Sequence, residues 1–100
     1  PMIRYEVVLD VEPQLVPGLE DYMRGKHIPE ILATGCFLDI RFERAGEGRF
    51  RTSYHAATSA DLERYLSQHT GGFRASLIQY FPRGVTAVRE TWTELERWSK

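Results

Sequence analysis

The chain has 100 residues, of which 42% are apolar and 27% charged, and its formal net charge at pH 7 is −1. This length is typical of one domain, and the near-neutral charge argues against a nucleic acid or an anionic membrane surface as the partner. No apolar run reaches the roughly 18–20 residues of a membrane span. The single cysteine, Cys36, excludes an intrachain disulfide, and this is typical of the reducing cytoplasm, where we expect the protein to be located.

The N-terminal part predicts a strand followed by a helix. Apolar and polar side chains alternate from Ile3 to Val11, which is the period of a strand with two unlike faces. Pro1 ahead of Met2 is expected to be a residue left by cloning, so the single domain is expected to span residues 2–98. From Gln14 onward the apolar residues recur at helical spacing: Leu15, Leu19, Tyr22 and Met23.

The segment from Lys26 to Phe37 is expected to interrupt this helix. Pro29 has no amide hydrogen and restrains the residue before it, so Ile28 is expected to be extended and the helix to kink or restart at Pro29. A short apolar turn follows, and Gly35 is expected to end it in a left-handed conformation. His27 stands just before this break, where backbone geometry would hold its side chain in place.

Two further strands are predicted around a turn that contains two glycines. Alternation runs from Phe37 to Arg44 and again from Arg49 to Ala57, with the turn at residues 45–48. In the first of these strands three apolar residues are expected to face the helices: Leu38, Ile40 and Phe42. Phe37 is expected on the opposite face.

The second half of the chain completes a β-α-β-β-α-β order. Thr58 with Asp61 three residues later is typical of a helix start, and Gly71-Gly72 is expected to break that helix into two pieces. The last strand is expected from Val85 to about Glu94. This order predicts an α+β, ferredoxin-like fold, in which both helices cover one face of an antiparallel sheet.

The sheet face that the helices leave uncovered is expected to be polar: Arg4, Glu6, Asp39, Arg41, Glu43, Arg51, Ser53 and His55. One interpretation is a solvated face with cross-strand ion pairs. The other is that two copies of the chain bring these faces together around a polar cavity. Val8, Phe37 and Trp92 favour the second interpretation, because a small protein seldom leaves such side chains exposed together.

Three stretches carry a resemblance to a known family: the motif His-Ile-Pro-Glu-Ile-Leu-Ala-Thr-Gly-Cys-Phe at residues 27–37, the start Met2 to Val7, and the block from Tyr54 to Tyr65. The sequence resembles an uncharacterised bacterial family of small proteins. That family is itself similar to the dimeric α/β-barrel superfamily, which includes antibiotic-biosynthesis monooxygenase-like proteins and muconolactone isomerases. The resemblance implies a homodimer, and it points to His27, because several of those groups place a histidine beside the barrel cavity at the end of the first helix.

His27 is the predicted catalytic residue, because an imidazole with a pKa near 6.5 suits proton transfer at neutral pH. The alternative is a structural histidine that bonds to the backbone at the helix break. Five residues are predicted to bind a substrate, with arginine suited to a carboxylate: Arg41, Arg51, Tyr54, His55 and Trp92. The charged members could equally neutralise carboxylates across the sheet. No metal site is expected, because Pro29 disturbs the spacing between His27 and Glu30.

Two functions remain open at this point. The first is an enzyme that needs no cofactor, of the oxygenase, isomerase or lyase type, in which His27 transfers a proton and Arg41, Arg51 or Tyr54 orients a small organic substrate. The second is a dimeric binding or structural protein without chemistry. The expected partners are a second copy of the chain and a small organic ligand, with no nucleic acid and no membrane.

Overall fold

The structure is a computed structural model that describes residues 2–100; Pro1, and the prediction made for it, lie outside the described residues. Four strands form one antiparallel sheet in the order β2-β3-β1-β4: β1 is Ile3–Val11, β2 Asp39–Ala45, β3 Arg49–Ala56 and β4 Val85–Thr93. Four helices pack against one face: α1 is Val16–Tyr22, α2 Ile28–Leu32, α3 Ser59–Gln68 and α4 Thr70–Tyr80. The predicted ferredoxin-like α+β fold is confirmed.

The core lies between the helices and the alternate residues of β1 and β3. Ile3, Tyr5, Leu9 and Val11 of β1 are buried, as the alternation predicts. Their neighbours on β3 have the same parity and are also buried: Phe50, Thr52, Tyr54 and Ala56. Among residues 2–100 no helix is long and apolar enough to cross a membrane.

The first helical unit is continuous where a break is predicted. A 3₁₀ turn leads into α1, and a π-helical turn at Met23–His27 joins α1 to α2. Ile28 has φ −67° and ψ −46°, so the predicted extended conformation is wrong. In an unbroken α-helix the ring of Pro29 would meet the carbonyl oxygen four residues earlier. The wider π turn moves that carbonyl away, so the helix accommodates Pro29 in the first turn of α2.

The connection from α2 to β2 confirms one prediction and corrects another. Gly35 has a φ of 75°, so its predicted left-handed conformation is confirmed. The strand, however, begins at Asp39 and not at Phe37. Leu38 is 62% exposed and Phe37 is buried in the core, so both faces were assigned wrongly. The reason is that side chains alternate only within a pleated strand, and these two residues precede it.

The second helical unit begins as predicted and breaks slightly earlier. The Thr58 hydroxyl accepts a hydrogen bond from the main-chain nitrogen of Asp61 at 3.2 Å, so the predicted cap of α3 is confirmed. The break lies at His69, whose φ is −122° and ψ −37°. Gly71 and Gly72 lie in the first turn of α4, where amide groups have no helical acceptor to lose and glycine therefore disturbs few bonds.

Candidate functional site

A small cavity lies between the helix-covered face of the sheet and the helices. Its volume is about 30 Å³, which is room for one or two water molecules. Residues of β1, β3 and β4 form its floor, and residues of the π turn, α3 and α4 form its walls. The polar side chains in this lining include His27, Thr52, Tyr54, Arg74 and Arg89.

His27 enters the cavity from the π turn and is 8% exposed. Its Nδ1 lies 3.3 Å from the hydroxyl of Tyr22, which in turn lies 2.7 Å from Oγ of Ser76 on α4. The imidazole also packs against two rings, with centroids 5.3 Å from Tyr22 and 5.8 Å from Phe73. These contacts fix the ring and engage Nδ1, so Nε2 is the nitrogen that remains for a molecule in the cavity.

The environment of His27 keeps the imidazole neutral at pH 7. Burial lowers the pKa of His27 to about 4, because the protonated ring loses its hydration. Arg89 and Lys26 lower this pKa further, whereas Glu30 opposes the shift. A neutral imidazole has one nitrogen that donates a hydrogen and one that accepts. In the tautomer that carries its hydrogen on Nδ1, the imidazole donates to the Tyr22 oxygen and Nε2 is a proton acceptor.

Tyr54 and Thr52 of β3 lie on the same side of the sheet as His27. Burial raises the pKa of the Tyr54 phenol, so its hydroxyl stays neutral at physiological pH. Thr52 is 1% exposed, and its Oγ1 makes no hydrogen bond of good geometry among residues 2–100, although it lies near enough to the Tyr54 hydroxyl to lower the pKa of that phenol slightly. A buried hydroxyl without a partner is uncommon, because leaving it unpaired costs about 1–3 kcal/mol. This atom therefore marks a place where a water or a ligand group fits.

The structure divides the predicted site between the two faces of the sheet. His27 and Tyr54 lie at the cavity, whereas Arg41, Arg51, His55 and Trp92 lie on the open face, around a groove of about 440 Å³. A single site in which Arg41 or Arg51 orients a substrate for His27 is therefore wrong. Neighbouring residues of a strand point to opposite faces, so Tyr54 and His55 cannot line the same cavity.

Two of the open-face residues are held by carboxylates of β2. Arg51 donates from Nη2 to Oε1 of Glu43 at 2.8 Å, and Nδ1 of His55 lies 2.7 Å from Oδ1 of Asp39. These are the cross-strand pairs that the sequence left open as an alternative. No group of three or more His, Cys, Asp or Glu side chains in residues 2–100 is placed to hold a metal ion.

Sequence reasoning missed Tyr22, Thr52, Arg74 and Arg89 as members of the site. Arg89 pairs with Val7 across β1 and β4, and this register puts it on the helix-covered face. A charged residue at a core position of a strand is a signal that could have found it. Tyr22 carried no such signal, because it meets His27 only through the π turn.

Residues 2–96 match the family model described as "Domain of unknown function (DUF4286)". The chain belongs to the DUF4286 family. This confirms the resemblance to an uncharacterised family. No curated protein matches the DUF4286 chain.

Solved structures share the fold of the DUF4286 chain at low sequence identity. A dimeric ferredoxin-like protein from an uncultured marine organism is 15% identical with a TM-score of 0.77, over 98% of this chain and 99% of that one. SnoaB, a cofactor-independent oxygenase from Streptomyces nogalater, is 11% identical with a TM-score of 0.76, over 99% and 98%. The monooxygenase of ActVA-Orf6 from Streptomyces coelicolor, solved with the ligand Nanaomycin D, is 14% identical with a TM-score of 0.67, over 97% and 92%. The predicted likeness to monooxygenase-like proteins is confirmed for the fold.

Proposed function

We propose that this DUF4286 protein binds a small organic molecule against the helix-covered face of its sheet and that His27 acts there as the acid/base of a reaction without a cofactor. The observation that carries the proposal is the hydrogen bond between Nδ1 of His27 and the Tyr22 hydroxyl, which orients a buried neutral imidazole toward a cavity. Oxygenase, isomerase and lyase reactions of activated carbon acids share a first step that this group can perform, the removal of a proton.

In that step Nε2 takes a proton from an acidic C–H or O–H bond, and the electron pair stays on the substrate as an anion. An imidazole whose pKa is about 4 is a weak base for this purpose. The anion that forms beside it stabilises the imidazolium, because an opposite charge nearby raises the pKa of the ring. The pair of charges is thus formed together, in a buried site. The known activities of proteins with this fold add support only by analogy.

A second candidate is a dimeric protein without chemistry, in which His27 only supports the helix. The volume of the cavity favours it, because about 30 Å³ holds no organic ligand larger than a head group. For the first function the wall formed by α4 has to open, and Phe73 and Arg74 are the side chains that would move. The screen described below separates the two candidates.

We also propose that two copies associate through the open face, in the cytoplasm. Val88 is 60% and Trp92 48% exposed there. This face carries charges of both signs on different strands, since Glu6 and Glu90 stand opposite each other on β1 and β4 while Arg41 and Arg51 belong to β2 and β3, and a twofold partner would bring the two sets together. The dimeric ferredoxin-like protein from an uncultured marine organism has the same fold.

Glu6 supports the association in a further way. Its Oε2 is buried and accepts no hydrogen bond among residues 2–100, although it forms an ion pair with Nε of Arg4 at 3.2 Å. An arginine from β2 of a second copy would pair with this carboxylate.

The experiment that tests the proposed function is a thermal-shift screen of small metabolites on three proteins: the wild type, His27→Gln, and His69→Gln as a matched histidine control. Ligands found for the wild type are then followed for conversion by mass spectrometry. We expect His27→Gln to fold and to lose about 10²–10⁴-fold in rate, with His69→Gln unchanged. Failure to find any ligand, equal rates for both variants, or an unfolded His27→Gln protein would each favour the structural candidate.

A further inference from the structure

We infer that the cavity beside His27 takes the anionic group of a planar organic acid, a carboxylate or an ionised phenol, and that Arg74 and Arg89 hold its charge. This inference rests on the proposed function, namely that the cavity binds a small molecule, and adds the chemical class of that molecule. It concerns the helix-covered side of the sheet and not the arginines of the open face.

The first observation is that the cavity has two cations and no carboxylate in its lining. Arg89 reaches it from β4, and Arg74 reaches it from α4, with Nη2 donating to the Tyr5 hydroxyl at 3.2 Å. No ion pair within residues 2–100 involves either guanidinium group. Arg89 is half-buried, and a cation that is partly removed from water without a counter-charge is costly.

The second observation is independent of charge. Oγ1 of Thr52 is buried at the same cavity with only a weak contact to the Tyr54 hydroxyl, and an acceptor on a ligand would give this donor a full hydrogen bond. A carboxylate or phenolate has only acceptor atoms, so it matches a site whose polar groups are guanidinium N–H bonds and a hydroxyl.

The positive charges of Arg74 and Arg89 also favour negative charge on side chains around the cavity. Burial raises the pKa of the Tyr65 phenol to about 12, and Arg74 and Arg89 both work against that rise. Arg89 also contributes to the low pKa of His27. Both effects mean that negative charge is favoured in the cavity and positive charge disfavoured.

The aromatic rings of the lining offer flat faces on which a planar molecule can pack. Tyr65 and Phe73 lie parallel, with ring centroids 6.2 Å apart and an interplanar angle of 13°. Tyr54 also lies nearly parallel to Tyr65, at 6.3 Å and 21°. The present volume accommodates the head group, and the ring of the ligand is expected to lie beyond it at the α4 wall.

The test uses two probes of the same shape that differ in charge, benzoate and benzamide. Each is titrated into uniformly ¹⁵N-labelled protein, and the signals of the arginine Nε–H groups and of the His27 main chain are followed by NMR. We expect benzoate to bind at least about tenfold more tightly than benzamide, since hydrogen bonds between charged groups are the stronger kind. Raising the salt concentration should reduce this preference.

Substitutions of single arginines show which side chains bind the anionic group of benzoate. Arg89→Gln and Arg74→Gln are each expected to reduce the preference for benzoate to below about threefold, whereas Arg89→Lys retains part of it. Arg24→Gln is the matched control, because Arg24 is exposed and lies near Glu20, with Nη2 3.6 Å from Oε1, away from the cavity. Melting temperatures of all variants are measured alongside, so that a loss of folding is recognised.

Three results would overturn the inference. If both probes bind equally and shift the His27 signal, the charge preference is wrong while the proposed function stands. If neither probe shifts that signal, the cavity does not take a planar acid and the inference is wrong, while the proposed function is decided by the metabolite screen. If benzoate is preferred but Arg41→Gln abolishes the preference and Arg89→Gln and Arg74→Gln do not, the anion belongs to the open-face groove.

Discussion

Tyr22 and His27 are joined by a hydrogen bond of 3.3 Å although they are five residues apart in one helical unit. In an α-helix, residues five apart point about 140° away from each other, because each residue turns the chain by about 100°. The π turn at Met23–His27 is wider and brings residues five apart nearly into line. Pro29, which an unbroken α-helix would not tolerate at this place, thus accounts for the contact that orients the candidate catalytic residue.

Removing the Tyr22 hydroxyl tests this contact. Tyr22→Phe leaves Nδ1 of His27 and Oγ of Ser76 without this partner, so we expect the free energy of unfolding to fall by about 1–3 kcal/mol. Tyr80→Phe is the matched control, because Tyr80 packs on Tyr22 at 4.8 Å between ring centroids but is 56% exposed. Its cost is expected to stay within about 0.5 kcal/mol. Urea unfolding measures both, and equal losses would show that the hydrogen bond contributes nothing.

The pKa of His27 predicts how stability depends on pH. In the folded protein this pKa is lowered to about 4 by burial, whereas in the unfolded chain it is near 6.5. Between these values the unfolded chain binds more protons. The free energy of unfolding is therefore highest above pH 6.5 and decreases as pH falls toward 4. The contribution is of order 3 kcal/mol at most. His27→Gln should flatten this part of the profile in urea unfolding at stepped pH, and an unchanged slope would contradict the buried neutral imidazole.

A substitution at Gly35 measures the cost of a left-handed backbone conformation separately from any steric clash of the added side chain. A Cβ atom at this position would meet nothing within 4 Å, yet φ is 75°. We therefore expect Gly35→Ala to cost about 1–2 kcal/mol through conformation alone. Gly72→Ala, equally uncrowded but in helix α4, should instead stabilise the protein by up to about 1 kcal/mol. If the melting temperatures of both variants shifted in the same direction, this explanation would be wrong.

Val88 and Ile78 test the proposed association, because they are similarly exposed, at 60% and 63%, on opposite sides of the molecule. Val88 lies opposite Val8 on the open face, with Glu6 and Asp10 beside it. In a single copy the ammonium group of Val88→Lys would lie near those carboxylates in contact with water. In a dimer the same charge would be buried between the two copies. Light scattering should report about twice the 11.6 kDa chain mass for the wild type and for Ile78→Lys, and the single mass for Val88→Lys. A wild type of single mass would refute the dimer.

The sequence alone determined the features that depend on neighbouring residues. The alternation of apolar and polar residues determined β1, and the hydroxyl of Thr58 determined the start of α3. Gly35 adopts a left-handed conformation because it has no side chain. The order of the elements then determined the fold class, because few arrangements connect such elements with short loops. His27 also stood out from the sequence, through its position before Pro29 and through the family motif.

Only the tertiary structure decided which of these side chains meet. The register of β4 against β1 put Arg89 at the cavity, on the face opposite to that of Arg41, Arg51, His55 and Trp92. The π turn decided that Tyr22 would hold His27, and the packing of α4 decided how small the cavity is. Such contacts join residues that are distant in the chain, or depend on how the helix accommodates a missing amide hydrogen. Local periodicity carries no information on either, because it reports only the direction of each side chain relative to its own strand or helix.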